Sequence, residues 1–140
     1  MTGRPHRVAF VCLHGSAKSL IAAEHMNRAA SARGISVQAE SMGIEPDADV
    51  PVPVVEGLAA DGIDVGGYVP RLATMERLGS ATHIVSFGCD LAPLGVGDSR
   101  TEQWADLPMV SDGFEAARKA IVARVELLLT ALSTDVAENS

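Results

Sequence analysis

The segment 8–19 constrains the fold of this chain more than any other. Its first four residues, 8–11, are apolar in succession and predict a buried parallel strand. A turn that contains a glycine follows, and a long amphipathic segment that begins at Ser19 predicts a helix. The unit is therefore a strand, a loop and a helix, and Cys12 lies where the strand ends.

The loop of this unit has the features of an anion-binding site. Backbone N–H groups in such a loop can converge on one point, which the positive end of the following helix dipole also faces. The same surroundings favour the thiolate form of a cysteine, so Cys12 is a candidate nucleophile. We expect Lys18 to hold a negatively charged substrate and Ser19 to donate a hydrogen bond to the sulfur. The expected oxyanion-binding residues are Leu13, His14, Gly15, Ser16, Ala17, Lys18 and Ser19.

Two other interpretations fit parts of this pattern. Free cysteines are among the most buried residues, so Cys12 could be a structural residue at the end of a strand. The segment 12–19 also has the outline of the nucleotide-binding pattern Gly-x-x-x-x-Gly-Lys-Ser/Thr. Cys12 and Ala17 stand at the two glycine positions of that pattern, so we set the nucleotide interpretation aside. The glycine, lysine and serine that follow the cysteine favour a nucleophile.

The segment 12–19 resembles the active-site loop of the low-molecular-weight protein tyrosine phosphatase superfamily, which includes arsenate reductases of the same fold. That loop has a cysteine, five residues, an arginine and a serine after the first strand, and Lys18 stands at the arginine position here. An arginine fork can hold two oxygens of the transition state, whereas an ammonium acts as a point charge. The resemblance implies an α/β fold of three layers, with a four-stranded parallel sheet flanked by helices. It also implies a thiol enzyme in which Cys12 attacks phosphorus or arsenic.

Two further stretches resemble the arsenate reductase branch more than the phosphotyrosine branch. They are residues 41–46, which include a Gly-Ile-Glu-Pro turn, and residues 62–65. In the arsenate reductases the third strand leads to thiols that attack the arsenic adduct or resolve a disulfide. The strand predicted over 81–87 leads here to a single thiol, Cys89. A relay with two extra thiols is therefore excluded, and two interpretations of Cys89 stay open: an ordinary turn residue, or a redox partner that forms a disulfide with Cys12.

The same resemblance implies a general acid in the loop before the last helix. Family members usually supply it from an Asp-Pro pair, which this chain lacks. The distance back from Phe114 selects Asp106 as the catalytic acid. When the family's Trp…Leu-Pro-Asp-Pro variant is laid over residues 104–110, Met109 falls on the acid instead. Asp112 is expected to cap the last helix, so Asp106 is the predicted acid.

The remaining periodicities predict a single domain over 1–133 and a polar tail over 134–140. A strand–helix–strand crossover of this size is right-handed and parallel. The predicted elements are a helix over 19–33 ended by Gly34, strands over 35–42, 81–87 and 103–107, and helices over 53–62 and 72–78. The last helix is predicted from apolar residues at Phe114, Ile121, Val125, Leu128 and Leu132.

The composition of this chain of 140 residues excludes several classes of binding partner. Its net charge of −7 opposes binding to nucleic acid or to an anionic membrane. We find no apolar run long enough to span a bilayer and no signal-peptide pattern, so a cytoplasmic location is expected. The two cysteines and four scattered histidines predict no metal site, and no cofactor is expected. The expected partners are phosphate, arsenate or a phosphorylated substrate, with a thiol reductant for arsenate.

Three functions stay open on the sequence alone. The first is a phosphatase or arsenate reductase that uses Cys12. The second is an oxyanion-binding protein without catalysis, which kept the loop after losing the arginine and the acid. The third is a redox sensor that uses Cys12 and Cys89.

Overall fold

Four strands and four α-helices form the part of the chain that the computed structural model describes, residues 5–97 and 101–138, with side chains up to residue 133. The strands are β1 (His6–Cys12), β2 (Val37–Gly43), β3 (His83–Ser86) and β4 (Thr101–Gln103). The helices are α1 (Lys18–Arg33), α2 (Val52–Ala60), α3 (Met75–Gly79) and α4 (Phe114–Glu138). Short 3-10 turns lie at Ala92–Leu94 and Val110–Asp112.

The strands form one parallel sheet in the order β2-β1-β3-β4, with helices on both faces, which confirms the predicted α/β fold. The chain leaves β1 toward β2 on one side and later returns to β3 on the other. Ligands of such sheets bind beyond the carboxyl ends of the strands, where the connections diverge. Cys12 pairs with Gly43 in the β1–β2 register and therefore lies at this edge.

Alternating residues of β1 build two cores on the two faces of the sheet. Val8 and Phe10 pack with α1 and α4, whereas Ala9 and Val11 pack with the segment around α3. All four are at most 1% exposed, so β1 is buried on both faces. This explains its continuous apolar sequence. The buried stripe of α4 consists of Ala117, Ile121, Val125, Leu129 and Leu132; Leu128, which we predicted in it, is only partly buried.

Most predicted elements differ from the structure by one or two residues at their ends, but the fourth strand and the helix predicted over 72–78 differ in ways that have a physical reason. The fourth strand ends at Gln103, because Trp104 turns its ring into the core, 5.7 Å from the ring centres of Phe10 and Phe87. The predicted helix over 72–78 begins only at Met75, after the Thr74 side chain accepts a hydrogen bond from the Arg77 amide. The segment before Met75 is not helical. It pairs with Gly43 through an isolated parallel β-bridge, beside the edge of the sheet.

The last helix also continues past the predicted boundary at residue 133. Its backbone is helical to Glu138, so most of the predicted tail over 134–140 is helical, and residues 139–140 lie outside the described part. No glycine or proline stands between residues 133 and 138 to stop the helix. No helix in the described ranges is both long and apolar enough to cross a membrane.

Candidate active site

The loop between β1 and α1 is fastened to the turn after β2. The backbone carbonyls of Cys12, Leu13 and His14 accept hydrogen bonds of 3.2, 2.7 and 3.1 Å from amides in the turn 44–47. These bonds use the carbonyl oxygens on one side of the loop. The turn therefore forms one wall of the site.

Two glycines allow the loop and the strand to approach this closely. Gly15 has a φ of +63°, a conformation that glycine adopts without steric cost. A Cβ on Gly15 would lie 2.7 Å from the Gly43 nitrogen, and a Cβ on Gly43 would lie 2.6 Å from the Gly15 nitrogen. The two backbones thus touch directly, and this contact sets the position of the loop.

The amides of the loop remain available to a ligand. Within the described ranges, no residue accepts a hydrogen bond from the backbone N–H groups of Leu13, His14, Ser16 or Ala17. Helix α1 begins next to them, and neither a side-chain cap nor an acidic residue in its first turn offsets its positive end. Unpaired amides and a helix N-terminus together favour an anion.

Cys12 lies beneath these amides and receives hydrogen bonds from its surroundings. Its sulfur is 3.2 Å from the Gly15 nitrogen, which donates to it, and 2.9 Å from the Ser19 hydroxyl oxygen. Ser19 in turn is 2.8 Å from the Ser41 hydroxyl, and Ser41 can donate to the Gly15 carbonyl at 3.2 Å. When the Ser41 hydroxyl donates to Ser19 and the Ser19 hydroxyl donates to the Cys12 sulfur, these hydrogen bonds stabilise a thiolate.

A cavity of about 350 Å³ opens above Cys12. Its walls are mainly apolar, and its titratable side chains come from Cys12, His14, Lys18 and Asp47. The Lys18 ammonium lies 3.8 Å from the Met109 sulfur, on the wall before α4. The lining residues are Cys12, Leu13, His14, Ser16, Ala17, Lys18, Asp47, Pro51, Phe87, Met109, Val110 and Ser111.

The structure does not bring Asp106 into this cavity. Both of its carboxylate oxygens accept hydrogen bonds from Arg124 of α4, at 2.7 and 2.9 Å, and its side chain is 71% exposed. Met109 lines the cavity instead, in agreement with the alternative alignment that put Met109 at the position of the acid. A catalytic role of Asp106 stays a prediction that this geometry does not support.

Cys89, the predicted redox partner, lies after β3 and is not part of the cavity lining. Both cysteines are free thiols. Burial and the charge of Cys12 raise the pKa of the Cys89 thiol, although a hydrogen bond with Ser86 acts in the opposite direction. A raised pKa reduces the thiolate fraction, which is the form that attacks a disulfide or an arsenic adduct.

Sequence reasoning missed the side-chain contacts at the cavity mouth. Asp47 accepts a hydrogen bond of 2.7 Å from the Ser16 hydroxyl. The His14 Nδ1 lies 3.1 Å from the Glu45 carbonyl oxygen and 3.5 Å from an Asp47 carboxylate oxygen. The only sequence signal for Asp47 was its place in the turn after β2, and this place does not indicate which side chains Asp47 contacts. In the described part of the chain, no group of three or more His, Cys, Asp or Glu is arranged to hold a metal ion.

Three solved structures resemble the whole fold. YfkJ from Bacillus subtilis matches with a TM-score of 0.80 at 22% identity, over 95% of this chain and 98% of that chain. The YwlE arginine phosphatase from Geobacillus stearothermophilus matches with a TM-score of 0.84 at 18% identity, over 97% and 98%. A thioredoxin-dependent arsenate reductase from Corynebacterium glutamicum matches with a TM-score of 0.77 at 18% identity, over 96% and 65%. At these identities the likeness establishes the fold.

Comparison of the sequences gives the family. None of the curated proteins matches this sequence significantly. A family model described as low molecular weight phosphotyrosine protein phosphatase matches residues 7–89, which include β1, the anion-binding loop and α1. Since this match covers more than half of the chain, the protein belongs to the low molecular weight phosphotyrosine protein phosphatase family.

Proposed function

We propose that this protein hydrolyses phosphate monoesters through a covalent intermediate on Cys12. The Cys12 thiolate attacks phosphorus, the S–P bond forms, and the P–O bond to the leaving group breaks. Water then attacks phosphorus, the S–P bond breaks, and orthophosphate leaves while the thiolate is regenerated. Membership of a phosphatase family supports this chemistry.

The position of the Cys12 sulfur among hydrogen-bond donors carries the proposal. The sulfur lies 3.2 Å from the Gly15 amide and 2.9 Å from the Ser19 hydroxyl, at the end of a helix without an acidic first turn. The remaining amides of residues 13–17 have no acceptor in the described part of the chain. A phosphate above the sulfur would accept hydrogen bonds from these amides, which also oppose the charge of the transition state.

Lys18 is proposed to supply the cation of the site. Its ammonium lines the cavity at the start of α1 and attracts the phosphate as a point charge. A guanidinium at this position would hold two equatorial oxygens at once. One well-aimed donor to a transition state contributes a factor of about 10²–10³ to the rate. We therefore expect slow turnover.

The cavity walls favour an ester of an organic group over a small inorganic oxyanion. Leu13, Pro51, Phe87, Met109 and Val110 present apolar surface around the sulfur. Leu13 and Met109 are 47% and 55% exposed, so each has surface that a bound organic group would cover. Apolar walls with few polar groups are typical of sites for organic ligands.

Arsenate reduction through Cys12 and Cys89 remains the second proposal. Residues 41–46 favour it, and its reductant would be a small thiol or a thioredoxin-like protein. The raised pKa of Cys89 and its place outside the cavity lining favour the hydrolysis of esters instead. A cytoplasmic location is part of both proposals.

The test is an assay of p-nitrophenyl phosphate hydrolysis with the wild-type protein, Cys12→Ser and Cys89→Ser. We expect slow release of nitrophenol by the wild type, none above background by Cys12→Ser, and unchanged release by Cys89→Ser. Cys89→Ser is the matched control because it removes the other thiol of the chain.

The same three proteins are then given arsenate with thioredoxin or with glutathione. Reduction that needs both cysteines, without ester hydrolysis, would replace the first proposal by the second. Phosphate binding without turnover of either substrate would leave an oxyanion-binding protein. A reversible Cys12–Cys89 disulfide that forms independently of anions would instead support the redox sensor.

A further inference from the structure

The proposed hydrolysis needs a proton donor for the leaving oxygen, and this inference rests on that proposed function. At the cavity wall before α4 stands Met109, whose thioether carries no proton to give. Asp106 is held outside the cavity by Arg124. The donor must therefore come from the titratable side chains that line the cavity.

Among the residues that the structure describes, four with titratable side chains line it: Cys12, His14, Lys18 and Asp47. Cys12 is the proposed nucleophile. A lysine ammonium ordinarily keeps its proton at neutral pH, and a carboxylate ordinarily has none to give. An imidazole changes its charge between about pH 5 and 8, which suits both the donation and the recovery of a proton. The chemistry therefore selects His14.

The contacts of the His14 ring fix its tautomer. A carbonyl oxygen can only accept, so the 3.1 Å contact between Nδ1 and the Glu45 oxygen places a proton on Nδ1. The other nitrogen, Nε2, has no hydrogen-bond partner in the described part of the chain. His14 is among the residues that line the cavity, and its side chain is 52% exposed, so Nε2 is open to a ligand.

Asp47 gives this imidazole a carboxylate neighbour. One of its oxygens lies 3.5 Å from the His14 Nδ1, so the carboxylate faces the edge of the ring that carries the Nδ1 proton. The other oxygen accepts the 2.7 Å hydrogen bond from Ser16, which is 1% exposed, and the Asp47 amide donates to the His14 carbonyl at 3.1 Å. The carboxylate is thus held by the loop that carries the histidine.

We propose that His14 is the general acid and base of the reaction and that Asp47 is its positioning residue. As Cys12 attacks phosphorus and the P–O bond breaks, the imidazolium gives its Nε2 proton to the leaving oxygen. In the second step the neutral Nε2 takes a proton from water while the water oxygen attacks phosphorus. The S–P bond then breaks, which regenerates the Cys12 thiolate and the His14 imidazolium and releases orthophosphate.

Several charged or titratable residues surround the His14 ring. Asp47 lies 3.5 Å from the His14 Nδ1, and Cys12 and Lys18 line the same cavity. Glu45, on the same turn, offers the ring its backbone carbonyl, and its side chain is exposed. A general acid must be protonated to act, so turnover of an ester that needs the acid should decrease at alkaline pH.

The experiment compares leaving groups in the wild type, His14→Gln and Asp47→Asn. A good leaving group such as p-nitrophenolate departs without a proton, whereas phenolate or an alkoxide needs one. We expect His14→Gln to lower kcat/KM, which reports the first step alone, by about 10²-fold or more with phenyl phosphate and far less with p-nitrophenyl phosphate. Asp47→Asn should show the same pattern more weakly. The alkaline decrease in rate with phenyl phosphate should be absent from His14→Gln.

Two controls separate this inference from structural effects and from the proposed function. His6→Gln removes a histidine at the opposite end of β1, and an unchanged Tm of His14→Gln shows an intact fold. If the wild type hydrolyses esters through Cys12 but His14→Gln lowers kcat/KM for both substrates equally, or for neither, His14 is not the acid and the proposed function stands. If the wild type shows no turnover that depends on Cys12, both are overturned.

Discussion

Replacing Gly43 by alanine tests whether contact between two backbones positions the catalytic loop. The new Cβ would lie 2.6 Å from both the Gly15 nitrogen and the His14 carbonyl carbon. Gly43 itself cannot retreat, because its amide donates to the Arg71 carbonyl and its carbonyl accepts from the Ala73 amide, each at 2.8 Å. The loop must therefore move.

The size of this movement follows from the same distances. Ordinary van der Waals contact of a Cβ begins at 3.4 Å, so the loop would shift by about 0.8 Å. The shift would displace the amides of the loop relative to the Cys12 sulfur. A misplacement of about 1 Å can cost about 10²-fold in rate. Overpacking a well-packed site costs about 1–3 kcal/mol of stability, so the variant should still fold.

The assay is p-nitrophenyl phosphate hydrolysis together with thermal unfolding and phosphate binding. Gly79→Ala is the matched control, because a Cβ on Gly79 meets nothing within 4 Å and its φ is not positive. We expect Gly43→Ala to lose about 10²-fold in kcat/KM and to bind phosphate more weakly, with a modest decrease in Tm. Gly79→Ala should match the wild type. A folded Gly43→Ala protein with normal turnover and phosphate affinity would refute the reasoning.

Three further changes test other parts of the structure. Lys18→Arg should raise kcat about tenfold or more, because a guanidinium fork can hold two transition-state oxygens; an unchanged or lower kcat would show that the lysine is adapted to its site. Asp106→Asn should leave turnover through Cys12 and the leaving-group dependence unchanged, and selective loss with phenyl phosphate would identify Asp106 as the acid after all. Burial lowers the pKa of His25 below its ordinary 6.5 although Asp61 opposes the shift, so the unfolded chain binds more protons below about pH 6.5. Stability should fall on acidification, and less steeply in His25→Gln, as thermal unfolding at several pH values would measure.

The fold and the loop were predictable because they depend on local patterns. A strand buried on both faces requires a continuous apolar run, as residues 8–11 show. A left-handed residue after the first helix favours glycine, and Gly34 indeed ends α1 with a φ of +66°. The order of residues from Cys12 to Ser19 then brings the thiol and the hydroxyl to one point, where they lie 2.9 Å apart.

The rest depends on contacts between distant parts of the chain, which no local pattern encodes. Asp106 precedes the last helix in sequence, but its side chain pairs with Arg124, which lies more than two turns after the start of that helix. The contact of Asp47 with His14 and Ser16 joins residues 31 or more positions apart. The bounds of the fourth strand differ from the prediction for a similar reason. Burial of the Trp104 ring against Phe10 outweighed the β propensity of Trp104.

A histidine as proton donor would also make the charge of the site more favourable for a bound phosphate than a carboxylic acid would. A carboxylic acid on the wall becomes an anion when it has given its proton, and an anion repels the phosphate that is still bound. An imidazolium starts as a cation and ends neutral, so it attracts the substrate and never repels the product. Lys18 cannot hold two phosphate oxygens as an arginine would, and the chain carries a net charge of −7. A second local cation at His14 therefore offsets both disadvantages where the anion binds.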